Sequence, residues 1–291
     1  MASTEHGLAG PETMAWRING EIAGLLGWGR AILLQVAHPL VAAGVSEHSQ
    51  FAHDALGRAR RLRRTLGAML TLTFGSYDEA VAVARHIDGI HGRIRGTLAA
   101  PTGTLAAGTP YFARDPDLLR WVHATYVDSA LRTYLLYVGP LSRAEQDRYC
   151  AETTAIEPLL NIPAGYLPRD VASLTAYLDA MLASGQIAVG EPARRIAREL
   201  LAPLGPPVLR PLEALLQLPI AGLLPPALRA AYGLPWSRRH ARALRASAAL
   251  TRRLRPYLPA ALCRWPQARA AERRVRALRA AESSESLGAA R

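Results

Sequence analysis

The chain has 291 residues, 50% of them hydrophobic and 6% aromatic, with two cysteines and a formal net charge of +12. That length carries ample apolar material for one large core or two small ones. Cys150 and Cys263 are too few and too far apart for a disulfide framework or a metal-ligand cluster. All 35 basic residues are arginine, a skew that reads as coding bias as much as selection, so positive charge alone identifies no nucleic-acid partner.

Leu and Ala dominate while β-branched runs are short, which predicts an all-α fold. The N-terminal "MASTEHGLAGPETMAW" has no basic region leading into an apolar core, so no secretory signal is expected and the expected compartment is the cytoplasm. A helix is predicted over 14–37, with Leu25, Leu33 and Val36 among its apolar positions. It should close near His38 and Pro39, because proline disfavours helical geometry in the residue before it. The most apolar stretch, "AILLQVAHPLVAAGV" (31–45), is short and interrupted by Gln35, His38 and Pro39, so a core helix fits better than a membrane span. His38 reads as a helix-end histidine whose ring caps a carbonyl. Glu47 and His48 follow it and could line a cavity, where a carboxylate can act as a general base.

A second helix is predicted over about 54–74. Within it "RLRRT" sets Arg61, Arg64 and Thr65 at i, i+3 and i+4, so all three share a direction. Two cations and a hydroxyl there suit an anion, a carboxylate or a polar ligand. A solvated basic face is the other reading, and Ala68, Met69 and Leu72 favour a pocket rim by continuing roughly the same side as apolar positions.

Ser76 and Glu79 form a capping box that should start the next helix, expected to end at Gly96. Ala80, Ala84, Ile87, His91 and Ile94 recur along one face of it, so His91 projects from the apolar stripe while His86 lies nearer solvent. Gly89 and Gly92 flank that histidine, and interior helical glycine costs about 1 kcal/mol relative to alanine. Two readings explain the cost. Either a core histidine sits beside close helix packing, or a planar cofactor approaches the backbone and His91 is its ligand, since a low dielectric favours the neutral, metal-binding imidazole.

Residues 97–114 read as a loop, and Asp115 with Pro116 starts a helix whose face carries Leu119, Val122, Tyr126 and Ser129. Ser142 and Glu145 make another capping box, 162–170 is a turn, and Leu174, Tyr177, Leu178 and Met181 mark the helix after it. Residues 186–199 and 206–217 are further helices, 218–236 is punctuated by proline, and the chain is arginine-dense from Ser237. Only the tail from about 282 has a disordered composition. The arginine-dense region reads as a solvated face, or as a basic surface that docks on a membrane beside Leu258 and Trp265. HExxH, GxxxxGK and GxSxG motifs are absent, so zinc peptidase, P-loop NTPase and α/β-hydrolase readings lose their usual support.

The segments "HPLVAAGVSEHSQF", "RLRRTLG", "FGSYDEA", "HGRIRG", "YFARDPDLLRWVHATYVDS" and "LLPPALRAAYGLPW" follow one another in an order that resembles the MpaB-like oxygenases. That family shares its catalytic domain with the rubber oxygenases, or latex-clearing proteins. The resemblance spans roughly 14–240 and implies a helical fold like the globin-related core of the rubber oxygenases, with one haem b. It implies a haem-binding domain over 1–240, with 241–291 as an arginine-rich helical extension of the same domain. His91 in "HGRIRG" then matches the proximal iron ligand, with Gly89 and Gly92 giving the haem room. Arg61, Arg64 and Thr65 match the family's Arg-x-x-basic-Thr pattern near the haem, Arg64 standing where rubber oxygenases have lysine. Glu47 is the nearest match to their catalytic glutamate. The implied reaction is oxygen insertion into, or oxidative cleavage of, an alkene in an apolar small molecule, with O2 as co-substrate and no nucleic-acid partner. The chain is shorter than the secreted polymer-cleaving members and lacks their export signal, so rubber itself is not the expected substrate. The alternatives are a non-catalytic haem- or lipid-binding helical protein and a basic membrane-associated module.

Overall fold

The computed structural model describes residues 7–48, 55–203 and 205–289. The fold is all-α apart from one small hairpin. Helix α1 (Met14–Asn19) starts where the Thr13 hydroxyl accepts the Trp16 amide, and α2 (Leu25–Val36) follows a short 3-10 turn. The single helix expected over 14–37 is therefore two. The break falls at Gly20 and Glu21, where the buried Glu21 carboxylate receives the Arg255 guanidinium from far along the chain.

Helix α3 (Pro39–His48) leaves α2 at a bend of 104°. Besides the amides of Ala37 and His38, the last carbonyls of α2 receive donors from distant parts of the chain. Tyr232 donates to Leu33, Trp121 Nε1 to Leu34 and Gln35, and the Ala188 amide to Ala37. His38 Nδ1 accepts the Leu40 amide at 3.3 Å, so its ring caps the start of α3 and not a carbonyl. Burial holds this imidazole neutral, lowering its pKa to about 4 against a small opposing pull from Asp115.

Helices α4 (Ala55–Phe74) and α5 (Tyr77–His91) form a hairpin, and the Ser76–Glu79 capping box starts α5 as expected. That helix ends at His91, short of Gly96, because Arg95–Thr97 is strand β1, paired antiparallel with β2 (Pro110–Phe112). Asp115 caps the long α6 (Pro116–Tyr137), and Ser142 with Glu145 starts α7 (Arg143–Thr153). Then come α8 (Val171–Ala183), α9 (Glu191–Leu200), α10 (Arg210–Gly222), α11 (Pro226–Ala231), α12 (Arg238–Leu254), α13 (Ala260–Cys263) and α14 (Pro266–Ala289). The last helix runs through the stretch from 282 that composition marks as disordered.

The main core gathers apolar faces of α1, α2, α3, α6, α7, α8, α9 and α11. A second cluster joins Trp16, Leu70 and Phe74 to Ala268, Ala271 and Val275, so α14 packs onto α4. Among the described residues no single helix is long and apolar enough to cross a membrane. The bent α2–α3 pair has the apolar length, but Leu33, Leu34, Val36, Ala37, Ala42 and Ala43 are all core.

Helix α2 is held on two sides at once. A Cβ on Gly27 would meet the Thr133 hydroxyl of α6 at 2.1 Å, and one on Gly29 would meet Ile220 of α10 at 2.4 Å. Arg30 points between them with every guanidinium nitrogen used: Nη2 to Asp128 at 2.6 Å, Nη1 to Ser129 at 2.6 Å and Nε to the Leu223 carbonyl at 2.7 Å. Burial pulls the pKa of Arg30 down and the Asp128 charge opposes that, so the guanidinium stays charged and fully hydrogen-bonded. Asp128→Ala leaves a buried guanidinium without its counter-charge and should lower stability by about 3–5 kcal/mol in urea denaturation. A loss under about 1 kcal/mol would show that Arg30 is not held this way.

Candidate functional site

The α4–α5 hairpin sets the level of the candidate residues. Its helices are joined through only Gly75 and Ser76 and pack along one another. Both rise by the same amount per residue. Counting back equally from the turn puts Arg61, Arg64 and Thr65 level with the last turns of α5, which end in His91. Arg64 and Thr65 are exposed, and the Arg61 side chain lies outside the described residues. Further along α4, Leu70, Leu72 and Phe74 become buried, so the arginine-rich segment borders an apolar one.

His91 is half-buried, and the apolar stripe it shares tapers from buried Ala80 and Ala84 to half-buried Ile87 and Ile94. His86 is exposed, as expected. Burial lowers the His91 pKa, opposed by Asp88 and aided by Arg114, so the ring is neutral near pH 7. The imidazole makes no hydrogen bond with any described residue, which leaves a nitrogen lone pair available to a ligand. The glycines beside it differ. Around Gly89 a Cβ would find no atom within 4 Å, whereas at Gly92 it would meet the Arg114 guanidinium at 2.9 Å. Gly89 is exposed and lies two residues before His91, about 200° round the helix from it, so it opens onto solvent and not beside the ring. Gly92 makes way for Arg114, which pairs with Asp88 at 2.6 Å.

Glu47 reaches the same end of the molecule by another route. It is exposed at the end of α3, and its Oε2 accepts the Tyr111 hydroxyl at 2.6 Å. Tyr111 lies opposite Gly96 in the hairpin, where a Cβ would stand 2.5 Å from the phenol oxygen. Its ring also faces Gly44 of α3, which in turn meets Ile94, three residues past His91. Glycine at 96 is thus explained by Tyr111, whose phenol must cross that position to reach Glu47. Burial, then the Glu47 hydrogen bond and charge, raise the Tyr111 pKa, so it remains the donor. Sequence reading missed Tyr111, Arg114 and Asp88. Tyr111 and Glu47 are 64 residues apart, and only alternation within "PYF" marks Tyr111 as inward-facing.

These residues suit a haem better than a multidentate metal. No group of three or more His, Cys, Asp or Glu converges among the described residues, but haem iron needs only one protein donor, which a neutral unpartnered imidazole supplies. The Arg114 guanidinium at Gly92 and the exposed Arg64 are cations that can meet an anionic edge such as a propionate. Neither His91, Arg64, Thr65 nor Glu47 lines the two best-defined cavities. One is a water-sized space of about 30 Å³ between α1, α2, α4 and α6. The other, about 490 Å³, lies between α2, α6, α8 and the α10–α11 turn, with Arg132, Asp179, Arg229 and Trp236 at its edge.

The family described as ER-bound oxygenase mpaB/B'/rubber oxygenase, catalytic domain, matches residues 16–253. No curated protein and no solved structure matches the chain significantly.

The Tyr111–Glu47 contact has a measurable signature. Tyr111→Phe and Glu47→Ala should each destabilise the protein, with a coupling of about 1 kcal/mol in a double-mutant cycle by urea denaturation. Fully additive effects would mean that the phenol does not hold the carboxylate.

Proposed function

Because the chain belongs to the mpaB/rubber oxygenase catalytic-domain family, we propose that it is a haem b-dependent oxygenase acting on an apolar, alkene-containing small molecule. The observation that carries the haem assignment is His91: a neutral, half-buried imidazole at the end of the apolar stripe of α5, without a hydrogen-bond partner among the described residues. The chemistry that a bound haem b supplies is activation of dioxygen toward a carbon–carbon double bond, giving insertion or cleavage.

The protein's part is positioning. His91 holds the iron through its neutral ring, and the low dielectric that keeps it neutral also favours coordination over protonation. Arg61 and Arg64 hold propionate or another anionic group by charge-assisted hydrogen bonds, and the Thr65 hydroxyl orients a polar ligand or water on the same level. Glu47 is the general base. Its Oε2 is fixed by Tyr111, and Oε1, which makes no hydrogen bond with a described residue, is the atom that accepts a substrate proton.

Oxygen consumption by the haem-loaded protein with an isoprenoid alkene, set against its saturated analogue, tests this reading. Uptake should require the double bond, whereas bound haem with no alkene-dependent uptake would favour a non-catalytic haem protein. A hydrogen bond to a charged group contributes on the order of 1.5–3 kcal/mol, and about 1.4 kcal/mol is a decade. Arg61→Ala should therefore lower turnover roughly tenfold or more. Arg85→Ala, on the exposed side of α5, is the control and should leave turnover unchanged. If both variants match the unmodified protein, "RLRRT" is only a solvated basic face.

A further inference from the structure

Large apolar side chains are exposed mainly in one part of this protein. Among the described residues, ten of the thirteen exposed large hydrophobic ones fall between positions 208 and 262. Five of them, Val208, Leu209, Leu212, Leu215 and Leu216, belong to the start of α10 and the turn before it, with Val208 78% exposed. The other five are Leu250, Leu254, Tyr257, Leu258 and Leu262, from the end of α12 into α13, with Tyr257 84% exposed. Trp236, just before α12, and Leu244 within it both meet Gly222, the last residue of α10, and α12 packs along α10. Both apolar groups thus lie on this helix pair and the segments that flank it.

Charge singles out the same region. Between Glu213 and Glu272 the chain holds ten arginines and no carboxylate. Arg255 and Arg264 are spent on Glu21 and Glu272, but Arg238, Arg239, Arg242, Arg245, Arg252 and Arg253 make no ion pair among the described residues. Coding bias accounts for arginine in place of lysine, yet it does not remove acids or expose leucines. Apolar side chains that enter the acyl boundary, a tyrosine at headgroup level and surrounding cations are what an anionic lipid surface binds. We propose that the α10 start and the α12–α13 segment form a peripheral docking surface for an anionic bilayer, lying on the membrane without spanning it. This surface stands independently of the haem assignment.

Cosedimentation of the full chain with vesicles tests it. Phosphatidylcholine vesicles containing phosphatidylglycerol should pellet the protein at about 0.1 M salt, and pure phosphatidylcholine vesicles should do so roughly tenfold less well. Two double variants at exposed positions, Leu212→Asp/Leu216→Asp and Leu258→Asp/Leu262→Asp, should each weaken binding about tenfold or more. Arg252→Gln/Arg253→Gln should erode the preference for anionic lipid. Protein that stays in the supernatant with both vesicle types overturns the proposal, as does native-like binding by both leucine variants. It is equally overturned if light scattering shows a dimer that these variants dissolve without any vesicle binding, or if the arginines bind DNA and not vesicles.

Discussion

A buried guanidinium organises this molecule. Arg30 leaves the centre of α2 and is enclosed between α6 and the end of α10, where only full use of its nitrogens makes burial tolerable. The glycines at 27 and 29 let both neighbouring helices come close enough to supply those partners. Hydrophobic burial alone would allow α2 to slide or rotate against its neighbours. Three directional hydrogen bonds to Asp128, Ser129 and the Leu223 carbonyl do not.

The candidate site inherits its geometry from that anchor. With α2 fixed, the bend at Ala37 and His38 decides where α3 goes, and the bend is held by donors from Trp121, Tyr232 and Ala188. Helix α3 then carries Gly44 and Glu47 against the small hairpin, whose Tyr111 fixes the carboxylate. The α4–α5 hairpin, braced by α1 and α14, brings His91 and the level of Arg61, Arg64 and Thr65. Rigid elements at the far side of the core thus position groups whose own surroundings are half-open.

Much of this could be read from residue order, because local rules sufficed for it. The capping boxes at Ser76 and Ser142, the Asp115–Pro116 start and the apolar stripe of α5 depend on neighbours within four residues. The same rules extend to Ser237, where His240 takes the place of the usual acid and so hides the box from a pattern search. What local rules could not reach was set by distant partners. Glu21 breaks the first predicted helix in order to meet Arg255, and Gly96 serves a strand pair because Tyr111 must cross it. Gly92 signalled a tight approach correctly, but its neighbour is Arg114, which nothing within "HGRIRG" announces. The proposed roles of His91 and Glu47 rest on the resemblance to the family. Helical periodicity alone left His91 balanced between a core residue and a ligand.

The central claim is that His91 binds haem iron, and titration of the metal-free chain with haem, followed by absorption, tests it most directly. The unmodified protein should bind one haem per chain and develop a sharp Soret band, while His91→Ala should lose stoichiometric binding and His86→Ala, on the exposed side of α5, should retain it. A His91→Ala variant that still takes up one haem with an unchanged spectrum, or an unmodified chain that takes up none, would contradict the assignment.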